Sequence, residues 1–195
     1  MLDALNNSLN AIILQTQINA HYLMIILAIP WMFFLLSALT GHRLLRLGIF
    51  PRHLSGLPGL IFAPVLHANF NHLFFNSIPL LVLSNFLLVH GLNYYIEITV
   101  FITLCSGGLI WCFAKPGLYV GASALITGYW ALLVSDIYRQ ASLTTVILGL
   151  LSLYYFSGIF LGIFPSKKGV SWEGHLFGLL AGFLAGYIIS PNIYV

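Results

Sequence analysis

Residues 174–187 read GHLFGLLAGFLAGY, a run without Lys, Arg, Asp or Glu in which glycine returns at 174, 178, 182 and 186. A spacing of four comes back to nearly the same side of a helix at each turn, so these glycines make one stripe without side chains. Each glycine weakens a helix by roughly 1 kcal/mol relative to alanine, so a row of four has to be offset by something. Close approach of a second helix backbone offsets it, and this is how helices associate in lipid, where burying apolar surface gives no drive of its own.

The rest of the chain asks for the same solvent. Of 195 residues 60% are apolar and 6% charged, with a mean hydropathy of +1.00, more apolar surface than a soluble domain of this size can hide. An integral multi-pass membrane protein is expected, in the plasma or inner membrane if the chain is bacterial. The formal charge of +3 comes from seven Lys and Arg scattered through connections. A nucleic-acid surface needs a basic stripe interleaved with aromatics, so nucleic acid is excluded as a partner. Cys105 and Cys112 are seven residues apart, two helical turns, which is too far for a disulfide. The first 20 residues hold no Lys or Arg, so the first apolar stretch reads as a retained span.

Apolar runs fall at 22–39, 72–89, 95–113, 123–137, 143–164 and 175–190, which predicts an all-α bundle of six transmembrane helices. Residues 1–20, with Asn6, Asn7, Asn10, Gln15, Gln17 and Asn19, form a polar leader that lies at the interface or starts the first helix early. Residues 21–195 form a single domain. The connection 40–71 carries Arg43, Arg46, Arg52, Pro51, Pro58 and Pro64 and is predicted to be a structured, partly embedded loop. With six spans, the entries to the second, fourth and sixth share one side of the membrane.

Polar groups cost several kcal/mol in hydrocarbon unless paired or hydrated, so their placement carries information. His67, His72 and Asn76 stand at the second entry, Ser123 at the fourth and His175 at the sixth. His72 and Asn76 are four apart and stack on one helix face, aiming an imidazole and a carboxamide at one point. Ser123, two residues after Gly121, falls in a first helical turn, among unsatisfied N–H groups and the positive end of the helix dipole. A serine nucleophile needs a base, and His175 is the candidate. Gly178 and Gly182 follow His175 on the stripe, with Gly121, Ala124, Gly128 and Ala131 facing them from the fourth span, so that Ser123 and His175 can meet. The four acids are Asp3, Glu97, Asp136 and Glu173. Asp136 lies about 20 Å along the helix from Ser123, and Glu173 is two residues from His175, a spacing that does not face. A Ser/His dyad is expected rather than a triad.

The set resembles the rhomboid proteases. It matches in a His-x4-His-x3-Asn spacing at His67, His72 and Asn76, a Gly-x-Ser at Gly121 and Ser123, and a His-x-x-Gly-x-x-x-Gly at His175, Gly178 and Gly182, in the family's order from the first span to the last. The resemblance implies Ser123 as nucleophile, His175 as general base, and His72, Asn76 and the Ser123 backbone N–H as oxyanion donors, with Gly121 and His67 supporting the site. It implies hydrolysis of a transmembrane segment of another protein through an acyl-enzyme, with lipid as surroundings and no metal or organic cofactor. The family's mobile cap would correspond to 165–172 and its lateral gate to the second and fifth spans. Two departures stand out: Thr127 where members often carry a tyrosine beneath the histidine, and no Trp-Arg pair in the first loop.

Other classes remain open on the residues alone. His67, His72 and His175 suit a metal-ligating trio, the same groups suit a polar transport path, and a catalytically inactive rhomboid-like binding protein would keep the same pattern. Charge bias and resemblance disagree on orientation. Arg43, Arg46, Arg52, Lys115, Lys167 and Lys168 fall on the side of Ser123 and Arg139 alone on the other, which predicts that the Ser123 side is cytoplasmic. The resemblance implies the reverse.

Overall fold

A backbone in hydrocarbon has no partner but itself, and this chain satisfies it with helices. The computed structural model describes residues 2–140, 142–164 and 171–189. Its long helices are α1 (Leu2–Leu39), α2 (Phe70–Leu88), α3 (Leu92–Phe113), α4 (Ser123–Arg139), α5 (Leu143–Phe156) and α6 (Trp172–Ile188). Among the described residues no β-strand forms, and one isolated bridge joins Ile49 to Tyr119. By length and composition, α1, α2 and α3 can each cross a membrane. The other three are shorter, at 17, 14 and 17 residues.

Residues 2–20 of the polar stretch are part of α1, a helix of 38 residues. Two of their side chains, Thr16 and Asn19, bond to α2. Asn19 is 3% exposed and donates through Nδ2 to the Leu88 carbonyl at 3.0 Å. That carbonyl, in the last turn of α2, also accepts from the Gly91 N–H at 3.0 Å, and Asn19 fills its second acceptor site. Asn85 Nδ2 donates to Thr16 Oγ1 at 2.9 Å, a second tie between the same two helices.

The expected helix 143–164 ends earlier, at Phe156. The break falls at Ser157-Gly158, a pair that loosens helices, and the chain resumes as a single turn, Gly158–Leu161. Gly162, just beyond this turn, lies against His175 of α6.

Helix α4 is the centre. Every residue from Leu125 to Leu133 is buried, as expected of a helix enclosed on all sides, and it packs against α2, α3, α5 and α6. Its most extensive partner is α6. A methyl group at Gly178 would collide with the Ala124 carbonyl, and one at Gly182 with the Gly128 carbonyl, so the two backbones touch. Around this seam lie Leu83 and Leu87 of α2, Ile98 and Ile102 of α3, and Ala181 and Ala185 of α6, all inaccessible to solvent.

The connection between α1 and α2 is structured, with short helical turns at Arg43–Leu47, Leu54–Gly56, Gly59–Phe62 and Ala63–Val65. It clamps the end of α3. Arg52 donates from its backbone to the Trp111 carbonyl at 2.9 Å and from its guanidinium to the Ala114 carbonyl at 2.7 Å. A cation on the carbonyl end of a helix is favourably placed against the dipole. Trp111 returns a bond from Nε1 to the His53 carbonyl at 2.9 Å.

Candidate active site

The start of α2 is fixed by Asn69, whose side-chain oxygen accepts from the His72 N–H at 2.9 Å. Asparagine at this cap satisfies one orphan donor and sets the phase of the first turn. His72 and Asn76, one turn apart, then point the same way, toward Gly121. A Cβ built on Gly121 would lie 2.5 Å from His72 Nε2 and 3.5 Å from Asn76 Nδ2. Gly121 also has φ +116°, a conformation side chains resist, and its N–H donates to the Ala63 carbonyl at 2.8 Å. Only glycine meets both demands at this position.

Ser123 is the first residue of α4 and is half-buried. The preceding cap, Ala122, has no side chain that could occupy the first-turn N–H groups, so they remain available to an incoming acceptor. Thr127 Oγ1 donates back to the Ser123 carbonyl at 2.7 Å. It therefore serves its own helix.

His67 sits behind this loop, 1% exposed. Its Nε2 lies 3.2 Å from Asn76 Nδ2 and 3.4 Å from the Ala122 backbone N–H. Both neighbours can only donate, so Nε2 accepts and the ring proton sits on Nδ1. Burial first, then the neighbouring His72, pushes the imidazole from 6.5 down to about 4. It is neutral at neutral pH. Between pH 6.5 and about 4 the unfolded chain takes up this proton and the folded chain does not. Stability present above that window is therefore lost as pH falls through it, by up to about 3 kcal/mol. Wild type is expected to lose that much more between pH 7 and 4 than His67→Gln, read from thermal or denaturant unfolding in detergent.

On the far wall, Ser171 caps α6 by accepting from the Gly174 N–H at 3.2 Å. His175 lies one residue further on, with its Nδ1 2.9 Å from the Gly162 carbonyl. Glu173 is buried nearby but is not the hydrogen-bond partner of His175. Asp136 is at the other end of α4, paired to Arg139 at 3.5 Å.

These walls enclose one cavity of about 500 Å³, lined by His72, Asn76, Gly121, Ser123 and His175 together. Among the described residues, no hydrogen bond links Ser123 directly to His175. His67 lies outside the lining and contacts the site through Asn76 and Ala122. His67 therefore does not join His72 and His175 as a metal ligand, its accepting nitrogen being taken. Of the cap expected at 165–172, residues 165–170 lie outside the described residues. The rhomboid domain pattern matches residues 54–192, which include every residue lining this cavity except Ile49. The chain belongs to the rhomboid family. It is 40% identical over 166 residues to an uncharacterised protein of Mycobacterium tuberculosis, covering 80% of this chain and 69% of that protein. An uncharacterised Mycobacterium leprae protein is 36% identical over 174 residues, covering 84% of this chain and 68% of that one.

Three groups in this rhomboid's site were not singled out from the sequence: the Ala63 carbonyl that holds Gly121, the Asn69 cap beneath His72, and the Gly162 carbonyl on His175. Asn69 had a signal, since asparagine three residues before a helical histidine is a recognisable cap. The two carbonyls had none, because every residue carries one.

Proposed function

We propose that this rhomboid is an intramembrane serine endopeptidase whose six helices all span the bilayer and whose substrate is a transmembrane segment of another protein. The observation that carries this reading is the single cavity shared by Ser123, His175, His72 and Asn76 at the mouths of α2, α4 and α6. In the proposed reaction Ser123 Oγ attacks the scissile carbonyl and its proton passes to His175 Nε2. His175 returns that proton to the leaving amine, and the acyl group stays on Ser123 as an ester. Water, deprotonated by the same nitrogen, hydrolyses the ester and restores the hydroxyl.

The carbonyl oxygen becomes negative in each tetrahedral intermediate and needs donors already in place. His72, the free N–H of the Asn76 amide and the Ser123 backbone N–H surround the position in front of Gly121. His67 holds the other Asn76 N–H and so fixes the amide plane. His72→Ala and Asn76→Ala are each expected to lower kcat by about 10²–10³-fold with KM little changed, the usual cost of one oxyanion donor. Steady-state cleavage in proteoliposomes measures both.

The reading is tested with protein reconstituted in liposomes with a model transmembrane substrate. Cleavage, together with labelling by a fluorophosphonate that maps to Ser123, is the expected outcome. A folded protein that neither cleaves nor labels would be a catalytically inactive family member.

A further inference from the structure

The Ser/His pair lacks an acid, and Thr127 bonds to its own helix rather than to the histidine. The His175 ring nevertheless has a fixed partner. Its Nδ1 is 2.9 Å from the Gly162 carbonyl, across 13 residues of sequence. A carbonyl oxygen can only accept, so Nδ1 carries the proton, and in the neutral ring Nε2 is then the unprotonated nitrogen. A methyl group at Gly162 would strike Nδ1 and lie 2.9 Å from Cε1, so no side chain but hydrogen lets the ring approach this carbonyl.

We propose that Gly162 is a positioning residue: its carbonyl does for His175 what a carboxylate does in a triad, selecting the tautomer that leaves Nε2 free to take the proton of Ser123. This rests on the reading of His175 as the general base. A carboxylate in that role holds the ring and stabilises the imidazolium, and a wrong tautomer there costs about 10⁴-fold in kcat. A neutral carbonyl supplies the orientation and part of the charge stabilisation. The carbonyl belongs to the turn that follows the break after α5, not to α4 or α6. Competence of the base is thereby tied to the position of that turn, and displacing it releases the ring.

Two measurements decide this. The first is nitrogen NMR of isotopically labelled histidine in lipid at neutral pH, with the His175 signals assigned by their loss in His175→Asn. A protonated Nδ1 and an unprotonated Nε2 are expected. The opposite tautomer, or an exchanging mixture, overturns the proposal whether or not the protein cleaves anything. The second is the pair Gly162→Ala and Gly158→Ala, the latter facing open space. Gly162→Ala is expected to lower kcat by roughly 10–100-fold with KM nearly unchanged and to lose the fixed tautomer, while Gly158→Ala matches wild type. A Gly162→Ala protein that is slow but keeps the wild-type tautomer signals would make Gly162 a packing residue only. If the tautomer is as expected and no cleavage or labelling occurs, the protease reading fails and the hydrogen bond stands.

Discussion

Ser123→Ala is expected to reduce cleavage of a membrane-embedded substrate by about 10⁴-fold or more, with no loss of fold. Removing the nucleophile of a serine hydrolase eliminates the covalent route and leaves only what the oxyanion donors and substrate binding supply. A factor of 10⁴ is about 5.5 kcal/mol of barrier, more than any single donor in the cavity contributes. The fold should be indifferent because the interactions that fix this residue are in its backbone. Thr127 Oγ1 bonds to the Ser123 carbonyl, which alanine keeps, and the Ala122 N–H to His67 is untouched. Ser123 itself lines the cavity. Initial rates in proteoliposomes, set beside thermal unfolding of the same preparations, separate the two quantities. A variant that still cleaves at more than a few per cent of the wild-type rate would remove Ser123 from the chemistry.

What could be read from residue types was the placement of scarce polar groups. His72, Asn76, Ser123 and His175 stood at span entries because lipid tolerates them nowhere else without compensation, and the structure has them lining one cavity. The glycine stripe was legible for the same reason, since four unfavourable residues in register imply a contact. What escaped was whatever depends on backbone path. A continuous apolar run from 143 to 164 looks like one helix, and the break after Phe156 rests on a Ser-Gly pair that many helices absorb. Hydrophobicity marks the solvent of a segment and not its direction. The polar 1–20 stretch left two paths open, the interface or an early start of the first helix, and the contacts of Asn19 and Thr16 with α2 go with the second. The number of spans is also less legible than their existence. Helix α4 has 17 residues and is enclosed by its neighbours, so its composition answers to protein packing as much as to bilayer thickness.

The seam between α4 and α6 supports the second large expectation, since it decides whether the site exists at all. Gly182→Leu is expected to cost about 3 kcal/mol or more and to abolish cleavage. Overpacking a core with side-chain atoms ordinarily costs 1–3 kcal/mol because neighbouring side chains can move. Here the neighbour is the Gly128 backbone, whose carbonyl carbon and Cα lie 2.8 Å from the added Cβ. A helix backbone cannot swing aside without carrying the whole helix. Relief therefore requires α4 and α6 to separate, and that same movement carries Ser123 away from His175. Gly178→Val should act similarly through Ala124. Gly108→Ala, on α3 with nothing near its Cβ, should instead gain up to about 1 kcal/mol from helix propensity. Unfolding in detergent, with fluorophosphonate labelling as the readout of the site, compares the three. If Gly182→Leu unfolds within 1 kcal/mol of wild type and still labels, the helices are not in backbone contact in lipid, and the cavity that joins the serine to the histidine has lost its cause.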